Sequence, residues 1–88
     1  MTKNIYVMFD KVSKTWTLPF FEVNNEKVIR DFQYLINEKN DSKSDIGIFY
    51  QDKELFILGT YNETNGNINL LKAPEKVLEL KNLKTKTN

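Results

Sequence analysis

The sequence has no cysteine and no histidine among its 88 residues. Their absence excludes disulfides, thiolate nucleophiles and the usual zinc and copper ligands, and it removes the commonest general base near neutral pH. Only three glycines and two prolines occur, and no apolar run approaches the ~20 residues of a membrane span. The N-terminus lacks the apolar segment of a signal peptide. We therefore expect no metal, no cofactor and no membrane segment.

Paired carboxylates are the remaining candidates for acid–base chemistry. The obvious pairs are Asp52 with Glu54 and Asp41 with Asp45. Both lie in charged stretches without the apolar surroundings that shift a pKa, and the isolated glycines form no phosphate-binding loop. We interpret the carboxylates as solvated and predict that the protein binds a partner and is not an enzyme.

The composition, 40% hydrophobic and 28% charged, is typical of one globular domain. We assign residues 1–80 to this domain and residues 81–88 to a basic, flexible tail. A chain of this length has a small core, so a homodimer is expected to help stabilise it. The lack of cysteine suits a reducing cytoplasm.

The first part of the chain predicts a β-hairpin. Apolar side chains alternate through residues 5–9, the period-two pattern of a strand with two fairly apolar faces. Residues 15–18 are β-branched and aromatic and should pair with it. Pro19 ends that strand, and we expect Phe20 and Phe21 to anchor a helix to the sheet.

A helix is predicted next, capped by Asn24 or Asn25. Five apolar residues recur at helical spacing and form one stripe that should face the sheet. They are Val28, Ile29, Phe32, Leu35 and Ile36. A polar loop over residues 37–42 ends the helix.

The second half predicts further strands. Residues 46–50 and 55–61 are rich in β-branched and aromatic residues, residues 62–66 form a turn, and residues 67–71 return as a strand. The segment that starts at Pro74 fits either a short helix or an edge strand. Simple alternation in residues 55–61 divides the side chains into two sets, one on each face of the strand. The first set is Leu55, Ile57 and Gly59, and the second is Phe56, Leu58 and Thr60.

The predicted fold class is therefore α+β. A small antiparallel sheet of four to five strands packs against one amphipathic helix in the order ββ-α-ββ(β), followed by a short C-terminal element and the tail.

Charge is unevenly distributed although the net charge is only +1. Residues 1–18 carry a net +2, residues 19–80 a net −4 and residues 81–88 a net +3. If the N-terminal hairpin and the tail lie together, they form a face that attracts phosphate.

Aromatic residues make up 12% of the chain, and rings beside lysines are what binders of single-stranded nucleic acid use. Trp16, close to Lys11 and Lys14, is the best candidate, although Trp16 and Tyr6 also fit a core or a dimer interface. Arg30 also fits a surface ion pair with Glu26. The candidate nucleic-acid-binding residues are Lys11, Lys14, Trp16, Arg30, Lys81, Lys84 and Lys86.

Several motifs between Asn4 and Leu78 resemble the small non-structural protein of gokushoviruses, which are microviruses with single-stranded DNA genomes. The shared motifs are Pro19-Phe20-Phe21 before the helix, Arg30-Asp31-Phe32 on it, and Gly59-Thr60-Tyr61 running into the turn that ends at Gly66. The sequence departs from the pattern between Asp41 and Asp52, where the family has proline and acidic residues.

The resemblance implies a DNA-binding protein that acts in the cytoplasm of an infected bacterium, when synthesis switches to single-stranded genomes. Single-stranded DNA is then the expected partner. The alternative is an adaptor that docks on capsid or replication proteins without touching DNA. The near-zero net charge favours the adaptor, and the resemblance favours DNA binding.

Overall fold

The computed structural model describes residues 1–39 and 50–84. Within these ranges the chain forms five strands and one α-helix, whose end continues as a π-helical turn, together with two 3₁₀ turns. The strands are β1 (Thr2–Asp10), β2 (Thr15–Trp16), β3 (Phe20–Glu22), β4 (Lys53–Asn62) and β5 (Ile68–Glu79). The helix α1 spans Asn25–Tyr34 and continues through Leu35–Lys39, and the 3₁₀ turns are Tyr50–Asp52 and Leu80–Leu83.

All strand pairs in the sheet are antiparallel, in the order β2-β1-β4-β5. β2 and β3 both pair with one edge of β1, and β3 occupies the first half of that edge. Pro19 separates β2 from β3. Because proline has no N–H to donate to a ladder, one edge strand is divided into two short ones. The α+β class and the antiparallel sheet are confirmed, with β3 as an additional strand before the helix.

The helix begins as predicted at Asn24, whose side chain accepts a hydrogen bond from the backbone N–H of Lys27 at 2.9 Å. Val28, Phe32 and Ile36 are buried against the sheet, and Ile29 and Leu35 pack around them. The stripe therefore faces the sheet, because its 3.6-residue period matches the helix.

A partly buried hydrogen bond ties this helix to the sheet. The Tyr6 hydroxyl donates to Oδ1 of Asn25 at 2.6 Å and accepts from Asn4 at 3.0 Å. Burial raises the pKa of the Tyr6 phenol. The hydroxyl thus stays protonated and keeps the first turn of α1 in place.

Phe20 and Phe21 do not act as a pair. Phe20 stacks on Tyr6 and meets the ring of Phe32, so it anchors the helix as expected. Phe21 lies on the other side of the sheet, where its ring contacts Tyr61. The expectation for Phe21 is wrong, because the two residues form a strand in which neighbouring side chains alternate.

Simple alternation also fails in β4. Tyr6 pairs with Ile57 but Ile5 pairs with Gly59, so Leu58 is an extra residue that forms a bulge. Opposed residues share a face, and Gly59 therefore lies on the Ile5 face, opposite to Leu55 and Ile57. Bulges are not visible in hydrophobic alternation.

The C-terminal part settles an open alternative. Pro74 lies within β5, so its segment is an edge strand and not a helix. Proline fits there because the outer side of an edge strand needs no donor. Leu80 and Leu83 follow in a 3₁₀ turn and are both buried in the core, which thus extends beyond the predicted domain limit at residue 80. Of the strand predicted over residues 46–50 only Tyr50 is described, and it belongs to a 3₁₀ turn. Residues 46–49, the end of the polar loop and residues 85–88 lie outside the described residues.

Candidate nucleic-acid interface

The sheet has one face that α1 leaves uncovered, and we call it the open face. Ile5, Val7 and Phe9 point to this side because Tyr6 and Met8, their neighbours in β1, belong to the core under the helix. Pairing then assigns the flanking side chains, since opposed residues share a face. The open face carries Lys3, Ile5, Val7, Phe9, Trp16, Phe21, Glu54, Phe56, Tyr61, Ile68, Leu70, Lys76 and Glu79.

Aromatic rings form two groups on the open face. At one end Trp16 lies between Phe9 and Phe56, with ring centroids 4.8 Å and 5.0 Å away. At the other end Phe21 meets Tyr61 edge-on at 5.6 Å. These contacts fix the orientation of each ring before any ligand binds.

The two groups leave large aromatic surfaces in solvent. Trp16 and Phe21 are each 48% exposed, whereas Ile5 and Val7 between them are 4% exposed. Ile68 and Leu70 extend the apolar surface along β5. An apolar patch of this kind on a small protein indicates a contact surface.

The lysines around the open face are mostly paired with acids. Lys11 and Lys76 reach Glu79 and Glu54 at 2.8 Å and 2.7 Å respectively. The hydrogen bond from Lys11 lowers the pKa of Glu79, and the same bond raises the pKa of Lys11. At the other end Lys3 meets Glu63 at 4.0 Å. The rim is therefore nearly neutral, and phosphates would have to compete for most of its lysines.

The predicted meeting of the hairpin with the C-terminal segment is observed in part. Lys81 lies 3.9 Å from Glu79, the carboxylate that also binds Lys11. Lys14 is exposed in the hairpin turn and has no acidic partner among the described residues. Lys11, Lys14, Trp16 and Lys81 thus lie at the same end of the sheet.

Two other candidates lie elsewhere. Arg30 is exposed on α1, which covers the opposite side of the sheet from Trp16. It makes no ion pair with Glu26, although both residues are described. Lys84 follows Leu83, whose carbonyl accepts from Asn37 at the end of the helical segment. Neither residue belongs to the open face, and Lys86 lies outside the described residues.

Sequence reasoning missed Phe21, Tyr61, Lys76, Ile68 and Leu70 as members of this surface. Phe21 was detectable in principle, because a phenylalanine pair in an extended segment must point to both faces. The position of the other four on this face follows from pairing between strands that are distant in sequence. Local pattern does not contain that information.

Other kinds of site were sought over the same ranges. Residues 1–39 and 50–84 contain no pocket and no cluster of three or more acidic, histidine or cysteine residues that could hold a metal ion. Asp41 and Asp45 are not described; Asp52 and Glu54 are half-buried. None of the helices in the described part of the chain is long and apolar enough to cross a membrane.

A family model described as Phage ORF5 protein matches residues 3–83. The chain belongs to this phage family. The match covers every strand that forms the open face as well as the helix. Searches of curated proteins and of solved structures found no match. Membership in the ORF5 family thus establishes a phage protein with an α+β fold.

Proposed function

We propose that this ORF5 family protein binds single-stranded DNA on its open face during synthesis or packaging of a viral genome. It acts by binding and not by catalysis, in the cytoplasm of an infected bacterium. The observation that carries the proposal is the pair of half-exposed rings, Trp16 and Phe21, held on an uncovered antiparallel sheet. Bases of any sequence stack on such rings.

The resemblance to gokushovirus non-structural proteins supports the same proposal. Those viruses carry single-stranded genomes, and the motif residues Phe21 and Tyr61 both lie on the open face. A phage family with a stacking surface is a natural source of such a binder.

The rim charges predict how binding depends on salt. Because Lys11 and Lys76 are already paired with glutamates, we expect only two or three phosphates to be neutralised, through Lys3, Lys14 and one further lysine. Each phosphate adds about −0.7 to the slope of log K against log salt for single strands, so the slope should lie between about −1.4 and about −2.1. Affinity then comes mainly from stacking.

The first test is fluorescence anisotropy of a labelled single strand of about 30 nucleotides and of its duplex. We expect Trp16→Ala and Phe21→Ala each to weaken binding to the single strand by about 1–2 kcal/mol, because one stacked base is lost. Tyr34→Ala is the matched control, since Tyr34 is 52% exposed but lies on α1. Equal affinity of all three variants, or no binding at low salt, would contradict the proposal.

A second candidate function follows from the same rim. A surface whose lysines pair with its own glutamates, as Lys76 does with Glu54 at 2.7 Å, resembles a protein interface more than a basic groove. The alternative is therefore an adaptor for capsid or replication proteins. Lys14→Ala separates the two, because Lys14 is exposed and has no acidic partner among the described residues, so its loss should weaken binding to DNA and not to a protein partner.

A further inference from the structure

The open face is apolar where an antiparallel sheet with one free side usually carries polar residues. Its central row consists of Ile5, Val7 and Phe9 on β1, flanked by exposed rings and by the exposed aliphatic side chains of Ile68 and Leu70. Sheet faces of this composition are normally covered by a second layer. Among the described residues α1 covers only the other face.

The area of the open face suits a weak dimer. An aromatic side chain buries about 150–250 Å² when fully covered. Because Trp16 and Phe21 are half exposed, each can bury about a further 100 Å² in an interface. Strands about 4.8 Å apart and about 30 Å long give a face of about 450 Å² per copy. Two such faces would bury about 900 Å², the size of weak and transient interfaces.

The charges of the rim make the face complementary to itself. Lys3, Lys11, Lys76 and Lys81 each lie within 4.0 Å of Glu54, Glu63 or Glu79, and only Lys14 has no acidic partner among the described residues. A two-fold interface brings a patch against its own copy, so a strongly basic patch would repel itself. A rim in which most lysines already contact a glutamate repels its own copy far less.

We propose that two copies of the chain pair through their open faces about a two-fold axis, and that single-stranded DNA competes with the second copy for this surface. The pairing stands on geometry and charge alone, while the competition rests on the proposed function. In the free protein the second copy thus covers the stacking rings, and binding of DNA separates the two chains.

Trp16 reports directly on this pairing, because it is the only tryptophan in the sequence. Sedimentation velocity and tryptophan emission are measured on the same samples from about 1 to 300 μM, the range in which an interface this small should dissociate. We expect the mass to rise from 10.4 kDa towards twice that value while the emission shifts to the blue. A protein that stays monomeric throughout overturns the proposal.

The sheet order distinguishes this pairing from one through the edge strand β5. β5 and β2 lie at opposite edges, so edge pairing would leave Trp16 exposed. A doubled mass without an emission shift would therefore also overturn the proposal.

Charged substitutions locate the interface. Phe21→Glu and Leu70→Glu should each raise the dimer dissociation constant at least tenfold, because both residues lie on the open face. Tyr34→Glu, at 52% exposure on α1, should leave it unchanged. Far-UV circular dichroism confirms that the variants are folded. Dimers that tolerate both open-face substitutions, or that Tyr34→Glu disrupts, refute the assignment.

A ten-nucleotide single strand tests the competition. We expect it to convert dimers into complexes of one chain with one strand. Complexes that retain two chains per strand and bury Trp16 in the dimer would overturn the competition. Dimers that form but bind no DNA would leave the pairing intact and refute the proposed function. DNA bound by a protein that never dimerises would refute the pairing and leave the proposed function intact.

Discussion

Lys14 has a backbone conformation that its side chain does not favour. Its φ is 59°, in the left-handed region, where it closes the turn between β1 and β2 with a 2.8 Å hydrogen bond from its N–H to the carbonyl of Asp10. A residue with a Cβ pays about 1 kcal/mol in this region relative to glycine. A cation is thus kept at a turn position where glycine would fit better.

Lys14→Gly should therefore separate stability from binding. We expect the free energy of unfolding to rise by about 0.5–1 kcal/mol, measured by urea denaturation, because the strain is relieved. Affinity for single-stranded DNA should fall about threefold, since one phosphate contact is lost. Ser13→Gly is a suitable control in the same turn, because Ser13 lacks both the charge and the positive φ. A Lys14→Gly variant with lower stability would contradict the conformational argument.

Single residues also show how far sequence reasoning reached the site. Trp16 was identified because it lies close to Lys11 and Lys14 in a chain with more aromatic residues than so small a domain can bury, and it is half exposed. Phe21 was assigned to the wrong face because Phe20 and Phe21 were treated as one apolar pair, whereas the short strand that contains them points them to opposite faces. Arg30 lies on the helix side, because it belongs to α1, which covers the face of the sheet opposite to Trp16.

At the scale of elements, the helix was predictable and the strand irregularities were not. The helical stripe and the Asn24 cap depend on residues within one local segment. The Leu58 bulge depends on how β1 and β5 pair with β4. A larger irregularity in β5 places the six residues from Leu70 to Glu75 opposite the three residues from Gly59 to Ile57. Such shifts arise from tertiary pairing.

Gly59 is the residue on which this bulge depends. A Cβ at this position would clash with the carbonyl oxygen of Asn69 and lie 2.8 Å from the Cα of Leu70. Both contacts are with backbone, so no side-chain rotation can relieve them. Glycine is required because β5 passes directly over this position.

Gly59→Ala should destabilise the protein by about 1–3 kcal/mol, the usual cost of overpacking. It should also disturb the pairing of Gly59 with Leu70, which places Leu70 on the open face. Gly66→Asn is the informative contrast, because Gly66 has open space and a φ of 77° that asparagine tolerates. Thermal unfolding of both variants checks the prediction, and a Gly59→Ala protein as stable as Gly66→Asn would refute it.

For the whole molecule, the distribution of charge along the chain predicted less than the pairing of charges in space. The basic ends do approach each other, as Lys11 and Lys81 show, but they meet around Glu79. The acidic segment therefore neutralises much of the basic one. Sequence gives the charge of a segment, whereas the fold decides which opposite charges come within reach.

Stability in acid should depend on Asp10. Its carboxylate accepts from the backbone N–H groups of Ser13 and Val12 and from the buried Lys53, and these bonds lower the pKa of Asp10. A depressed carboxyl pKa stabilises the fold above pH of about 4 and loses that contribution as pH falls through the folded value.

Asp10→Asn should accordingly lower the melting temperature by several degrees at pH 7, because Lys53 loses its partner. In acid, the melting temperature of this variant should fall less steeply with decreasing pH, and this part of the curve is the acid limb. Calorimetry from pH 2 to 7 measures both effects. Glu63→Gln, whose ion pair with Lys3 spans 4.0 Å, should retain the wild-type limb. An acid limb unchanged in Asp10→Asn would argue against this assignment.

The position of β1 in the sheet also has a consequence during translation. The first strand is central, and its register with β4 joins Thr2 to Asn62. At about 5–20 residues per second, a ribosome needs about 3–12 s to make the residues between them. Leu83, buried in the core, is made later still. β1 can pair with β2 and β3 as soon as these are made, but its other edge must stay unpaired until β4 has been synthesised, and a product that stops short of Leu83 lacks part of its core.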